Sequence, residues 1–517
     1  MHTNQGQKCE HCDCEKKELQ GRAAGASLWA ATVQAPSYPS LPGDTQVDVA
    51  IVGGGITGLT TAYLLQKAGK KVAVIEANAL GQGVTGYTSA HLTFVLDSKF
   101  YQLIKKFGLS RARLMQQSNQ AALDTIRDII QSEHIDCDWA ATDGYLYTES
   151  SEDDEVIRKE VTAARDLGID ASYTTEVPLP FPTYSGVRFS GQAVFHPLKY
   201  VYALAKIIAG RGGQVFEHTR VTDLKDGCVI TDKGKVKAAD VVLATHAPLF
   251  SQLLTVQAKT APYRSYIIGF KAAQEHPAPG LFWDTDEPYQ YIRSYATQAG
   301  QVVVVGGKDH PAGKPVDTRR YTGALEKYAR QRFMVESVDY AWSAQYFRPV
   351  DDLPYIGRAP FRKHLYVATG YSGNGLTFGT VAALLISDLI QNKRSAWAKL
   401  YSPNRVSLAG LGRLMQYGWN NFNHVVVDRF KKGAATSAKG LDNEQGMVVT
   451  EGGKKIALYK DAQGNVTKLS PVCTHAGCIV QWNSFEKTWD CPCHGGRYTS
   501  FGKVINGPPV KDLANIS

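Results

Sequence analysis

The chain has 517 residues, 44% of them hydrophobic and 20% charged, and a formal net charge of +9. That is enough chain for about three ordinary domains, each with a sizeable core. No run approaches the ~18 apolar residues of a membrane helix, no export signal stands at the N-terminus, and no basic stretch is interleaved with aromatics; an integral membrane segment and nucleic-acid binding are therefore not expected, and a cytoplasmic location is.

Residues 1–45 read as an irregular N-terminal extension. Its CEHCDC run carries Cys9, His11, Cys12 and Cys14, spaced too tightly for an ordinary zinc site. Three prolines, Pro36, Pro39 and Pro42, then lead in extended form to the first strand.

The stretch 48–77, DVAIVGGGITGLTTAYLLQKAGKKVAVIEA, organises the front of the chain. An apolar strand at 49–52 runs into a G-x-G-x-x-G turn that opens a helix, and a second strand at 72–75 ends on Glu76. In this pattern Gly53 makes the tight turn, Gly55 admits a pyrophosphate, and Gly58 lets helix and strand pack closely. The helix start offers free N–H groups and a positive dipole end to phosphate, with Ile56 and Thr57 in its first turn. Glu76 stands where it can accept hydrogen bonds from a ribose. The following loop, GQGVTGYTSAHLT at 81–93, is rich in small and hydroxyl residues; Thr88 and Ser89 are its expected cofactor contacts.

Helices are expected over 110–134 and about 153–167, with a strand at 143–148 between them. Pro197 opens a further helix at its first position, making His196 a capping or packing histidine more readily than a cavity residue. A strand at 214–216 and another from Val221 follow, and the apolar run 240–245 is expected to return beside the first strand. Residues 260–305 change character: tyrosines, Phe270, Phe282 and Trp283 crowd a strand-rich stretch that reads as a separate antiparallel sheet. Arg264, Arg293 and Arg348 are the cations suited to a substrate carboxylate, because a guanidinium fork matches it bidentately. Near 370, the run Gly373-Asn374-Gly375-Leu376 opens an apolar helix to about 389, again placing a helix N-terminus where negative charge is welcome. A second G-x-G-x-x-G unit is absent, so no nicotinamide domain is expected.

Residues 392–443 read as a linker, amphipathic in places. From 444 the pattern turns to short alternating strands, followed by two cysteine–histidine boxes, CTHAGC at 473–478 and CPCHGG at 491–496. Cys473 and Cys491 are soft thiolates suited to one iron, and His475 and His494 are imidazoles suited to the other, a ligand set that raises cluster potential. A zinc site from the same residue types is the alternative; the extra cysteines and the glycines after each box point away from it.

These boxes resemble the Rieske [2Fe–2S] domain of the cytochrome-complex type. The resemblance implies a Cys478–Cys493 disulfide clamping the two loops. In high-potential members of that type a serine follows the His-Gly of the second box, where this chain has Gly496 while keeping Tyr498. The cluster is accordingly expected below its high-potential relatives, within the Rieske range of about −150 to +300 mV.

Residues 47–391 resemble the D-amino-acid-oxidase-like flavoproteins of the glycine, sarcosine and gamma-glutamylputrescine oxidase types, and the whole chain resembles bacterial FAD oxidoreductases that carry a C-terminal Rieske domain. The implied fold is an α/β Rossmann-like FAD-binding domain with an antiparallel-sheet (α+β) substrate domain, plus a small all-β Rieske domain. Its implied divisions are an extension (1–45), the oxidoreductase domain (46–391), a helical linker (392–443) and the Rieske domain (444–517). Within the second, FAD binding falls to about 46–100, 190–250 and 350–391, and substrate to 101–189 and 251–349. FAD is expected to meet the residues named above and Val221, non-covalently; Tyr87 aligns with the histidine that carries FAD in some relatives, and His91 is the nearby alternative. Tyr291, Arg293, Arg348 and Tyr371 are expected to orient an amine or amino acid. Its C–N bond would be oxidised, and a one-electron acceptor protein or quinone would take electrons from the cluster singly. Hydroxy-acid oxidation on the same fold, or a flavin–Rieske reductase serving an oxygenase, are the alternatives.

Overall fold

The computed structural model describes residues 25–225, 227–250, 253–273, 278–314, 316–407, 410–422, 424–425 and 440–516. Cys9, His11, Cys12 and Cys14 lie outside the described residues.

The strand Thr45–Val52 is buried along its second half because both of its faces are covered, as a run of Val, Ala and Ile requires. It pairs in parallel with Val72–Ile75 on one side and with Lys235–Leu243 on the other, so that Ile51 stands opposite both Val74 and Val242. The expected return strand is thus found beside the first. Gln214–Phe216 extends the sheet past Val72–Ile75, and Leu365–Thr369 and Tyr355–Arg358 close its other side. The helix Ile56–Lys67 covers one face and packs against Gly375–Ile390, a helix apolar all round and therefore buried.

A second, nine-stranded sheet supplies the other wall of the molecule, with Val335–Pro349, Thr260–Ala272, Gly300–Pro311 and Tyr291–Thr297 in consecutive antiparallel pairing. The expected aromatic sheet is this one. The C-terminal region is all-β: a three-stranded sheet (Gln445–Glu451, Lys454–Lys460, Val466–Leu469) and a four-stranded one (Gln481–Asn483, Thr488–Asp490, Arg497–Thr499, Val504–Asn506).

Two expected boundaries cut through packed structure. Residues 28 and 29 of the supposed extension are fully buried, with the Trp29 ring edge-on to Tyr295 and its Nε1–H donating to the Thr88 carbonyl at 2.7 Å. In the supposed linker, the buried Tyr401 hydroxyl lies 2.7 Å from that of Ser118. Irregular composition marks where regular elements stop, and side-chain burial continues beyond them. Among the described residues, no helix is long and apolar enough to cross a membrane.

Candidate functional site

The first turn after Thr45–Val52 is built from backbone. Gly53 has φ +112°, a conformation L side chains rarely adopt, and a Cβ there would fall 2.5 Å from the Ala244 carbonyl oxygen. A Cβ at Gly58 would fall 1.9 Å from the Gly53 carbonyl oxygen, so helix and turn touch only because position 58 has no side chain. Glu76 reaches back across the turn and accepts from the Gly54 N–H at 2.8 Å and the Asn78 N–H at 2.9 Å. Burial pushes its carboxyl up, and those backbone donors pull it down.

The second glycine run does a different job. Asn374 caps nothing with its side chain; its Oδ1 accepts from the Asp97 N–H at 3.1 Å and its Nδ2 donates to the Val95 carbonyl at 2.9 Å. The helix it precedes thereby holds the 93–97 segment against the cavity. Tyr371 points its hydroxyl to Thr57 Oγ1 at 3.3 Å, joining the two helix starts.

One long cavity connects these features. Its lining includes Gly53–Thr57, Glu76, Thr88, Ser89, His91, Val221, Tyr291, Tyr371 and Gly373–Leu376. His91 Nδ1 is 3.1 Å from Ser89 Oγ, while Nε2 is buried without a partner; burial, and the nearby Arg293 charge, hold the ring far down, at about 3. Tyr87 gives only its carbonyl, to the Trp342 indole N–H at 3.0 Å.

In the C-terminal region the two boxes make matching turns. The Gly477 N–H donates to the Cys473 carbonyl at 3.0 Å and the Gly495 N–H to the Cys491 carbonyl at 3.2 Å. Both glycines have positive φ, 77° and 70°. The turns face each other. Cys478 and Cys493 form a disulfide, which leaves Cys473 and Cys491 as buried free thiols. The His475 and His494 rings stand 5.0 Å apart at 87°, and His475 Nε2 and His494 Nδ1 are buried with no partner. Two thiols and two imidazoles on opposed loops, with orphaned ring nitrogens, suit a two-iron cluster, and the disulfide takes Cys478 and Cys493 out of the ligand set. Tyr498 places its hydroxyl 3.3 Å from Cys473 Sγ.

The cluster loops pack on the large sheet. Gln345 Nε2 donates to the Gly495 carbonyl at 2.9 Å. Arg264 pairs with Glu486 at 2.5 Å and with Asp490 at 3.0 Å, and donates to Ser343 at 2.7 Å. Thr318 Oγ1 donates to Asn483 at 2.7 Å. Residues 505–507, 509 and 510 of the C-terminal region line the same cavity as the glycine turn.

Residues 48–389 match the family model of the FAD dependent oxidoreductases called DAO. The chain belongs to this DAO family. Residues 432–517 match the Rieske [2Fe-2S] domain, a match that starts inside the stretch read as linker. Over 501 residues the chain is 33% identical to YhfW of Bacillus subtilis (strain 168), which is named as a Rieske 2Fe-2S iron-sulfur protein; the match covers 96% of this chain and 98% of YhfW. It is 27% identical to gamma-glutamylputrescine oxidoreductase of Escherichia coli (strain K12), over 71% of this chain and 89% of that one. Among solved structures, glycine oxidase from Geobacillus kaustophilus shares the fold at a TM-score of 0.58 and 20% identity, over 70% of this chain and 99% of that one.

This DAO-family oxidoreductase therefore uses FAD, and its C-terminal domain a [2Fe–2S] cluster. The glycine turn and Glu76 suit the first, and the orphaned imidazole and thiol set the second. The cavity brings together every expected FAD contact except Gly58, which acts from beneath the turn. It also collects Tyr291 and Tyr371. Two expected substrate residues lie elsewhere. Arg293 is buried under Trp29, donating to the Ala90 carbonyl at 2.5 Å, and Arg348 is exposed, 6.0 Å from the Tyr263 ring. Arg264, the third candidate cation, is taken by the domain contact. His196 caps its helix, accepting the Lys199 N–H at 3.2 Å. Missed altogether were Asp97, Asp309, Tyr346 and Gln345, all of which line the cavity. The one signal was an acidic residue at the end of the apolar run VVVVGGKD, where a strand core has no use for it.

Proposed function

We propose that the protein is a dehydrogenase that oxidises the C–N bond of an amine or amino acid and passes the electrons singly, through its Rieske cluster, to an acceptor protein or quinone. The observation that carries this reading is the shared cavity wall: residues 505–507, 509 and 510 of the Rieske domain line the same cavity as Gly53–Thr57. A cluster domain docked there suits electron exchange within the chain. The name of the Escherichia coli relative, gamma-glutamylputrescine oxidoreductase, supports an amine substrate.

FAD supplies an acceptor for two electrons arriving together, and it can release them one at a time. The chain's own residues do the rest. Gly53, Gly55, Ile56, Thr57, Glu76, Thr88, Ser89, Val221, Gly373, Asn374, Gly375 and Leu376 hold FAD, with Gly58 supporting the turn. Tyr291 and Tyr371 wall the reacting carbon and exclude water. The substrate loses a C–H as hydride and an N–H as a proton, which leaves an imine; water then hydrolyses it to a carbonyl compound and ammonia or a smaller amine. Cys473 and Cys491 hold one iron and His475 and His494 the other, with the Cys478–Cys493 disulfide clamping the loops.

Anaerobic mixing of the holoprotein with a panel of amines, N-methyl amino acids and hydroxy acids tests this. An amine that bleaches the flavin and then reduces the cluster is the expected result. A cluster that stays oxidised beside a bleached flavin, or faster bleaching by NADH than by any amine, would overturn it.

A further inference from the structure

Accepting that reading of the cavity, we propose that its substrate is held as an ammonium cation, captured by Asp309. The substrate class is then an amine with no carboxylate beside the bound nitrogen.

Asp97, Ser265, Tyr289, Tyr291, Asp309 and Tyr346 are all among the residues that line the cavity, and Asp97, Tyr289, Asp309 and Tyr346 are joined in two hydroxyl–carboxylate pairs. The two carboxylates differ in what they lack. Asp97 is satisfied, accepting the Gly373 N–H at 2.7 Å and the Tyr289 hydroxyl at 3.1 Å. Asp309 accepts the Tyr346 hydroxyl at 2.8 Å on Oδ2, but its buried Oδ1 has no hydrogen-bond partner: the nearby Ser265 hydroxyl is engaged with the Tyr291 hydroxyl at 3.1 Å and the Gly307 carbonyl at 3.4 Å. A buried carboxylate oxygen without a donor is costly to maintain. A ligand bearing N–H donors and positive charge removes that cost.

The cations that would argue for an anionic substrate are committed elsewhere. Arg264 is held by Glu486 and Asp490, and Arg293 by the Ala90 carbonyl and the Trp29 ring. Lys99 lines the cavity but faces Glu287 at 3.9 Å. Arg348 lies outside the lining residues, though its field reaches both aspartates. Arg220, the arginine among the lining residues, sits beside Asn78 and Glu76, so a substrate carboxylate entering beside Asp97 and Asp309 would meet like charges, which repel at close range.

Burial pushes the Asp309 carboxyl up to about 6, against the pull of the Ser265 and Tyr346 hydroxyls and of Arg348, with Asp97 adding to the rise. It is therefore charged at neutral pH and ready for a cation, and it is the base that takes the ammonium proton, leaving the neutral amine from which the hydride and the second proton depart.

The test is binding to the oxidised holoprotein, read from perturbation of the flavin spectrum, with n-butylamine and butyrate as probes. Butylamine should bind at least about tenfold more tightly than butyrate, and D309N should lose at least about tenfold of that affinity while D309E regains part of it. Butyrate binding as tightly as butylamine would overturn the proposal, and that wild-type comparison stands even if D309N fails to fold. D309N that keeps full amine affinity would also overturn it. Because the readout is binding, it is separable from the proposed oxidation: amines that bind but never bleach the flavin would sink that reaction and leave this assignment standing.

Discussion

Gln345 Nε2 donates to the carbonyl of Gly495 at 2.9 Å. Gln345 also lines the cavity that holds the glycine turn, and Gly495 directly follows His494. One hydrogen bond therefore links the cavity wall to a cluster loop, and the contact is tight: a Cβ at Gly495 would lie 2.5 Å from that same Nε2. Replacing Gln345 with Leu leaves the carbonyl unpaired in a buried interface, at a cost of about 1–3 kcal/mol. In stopped-flow mixing with a reducing amine, the cluster-reduction phase of Q345L should slow more than the flavin-bleaching phase. Equal slowing of both would remove Gln345 from the electron route.

Gly58→Val tests the nucleotide end. Its side chain would collide with the Gly53 carbonyl oxygen, 1.9 Å from the Cβ position, and backbone cannot yield as a flexible side chain can. The variant should purify with almost no flavin, checked by the ratio of flavin to protein absorbance. A fully yellow protein would show that the turn can open.

His494→Ala removes one expected iron ligand from a loop that the disulfide still clamps. Iron content should fall close to zero while flavin content holds. Retained iron with an unchanged low-temperature electron paramagnetic resonance signal would mean that another side chain serves.

Gly496→Ser addresses the potential. A Cβ at 496 would lie 3.7 Å from Cys473 Sγ, so a serine hydroxyl there could donate toward the sulfur, but it would also lie 2.7 Å from the Pro509 ring. The single variant should lose about 1–3 kcal/mol of stability from overpacking. G496S combined with P509A should accept the hydroxyl and show a higher midpoint potential, since donors to the sulfur favour the reduced cluster. A redox titration that finds no rise would show the hydroxyl pointing away.

Arg264 joins the domains through charges. It is 1% exposed and faces Glu486 and Asp490, with Arg497 on the other side of the same carboxylates. Arg264→Met should cost about 3–5 kcal/mol, because removing one partner leaves charge uncompensated in a buried place. Burial pushes Asp490 up, but Arg264 and Arg497 outweigh it and bring the carboxyl down to about 2. Its folded value lies below the unfolded one of about 3.9, so its stabilisation is complete above about pH 4 and is lost as pH falls toward 2. Acid titration of the melting temperature should show that loss in the wild type and less of it in R264M.

The dinucleotide turn, its strands and the cluster boxes were legible because each is a local pattern: glycines at fixed offsets, period-2 or apolar strands, cysteines and histidines two or three residues apart. The arginines were not. A guanidinium suited to a substrate carboxylate is equally suited to a domain contact, and Arg264 and Arg293 went to Glu486, Asp490 and the Ala90 carbonyl. Trp29 shows the same limit, since a short helix in a proline-bearing segment gives no periodic signal for its burial.

By itself, then, the chain's order of residues determined two cofactors, because the chemistry that calls for each is carried within runs of a few residues. Tertiary structure alone decided what lies between them. Asp97 and Asp309 are 212 positions apart and Gln345 and Gly495 are 150 apart, and only the packing of one sheet over another, and of a third domain against both, sets which charges face the cavity and which loop leans on its wall.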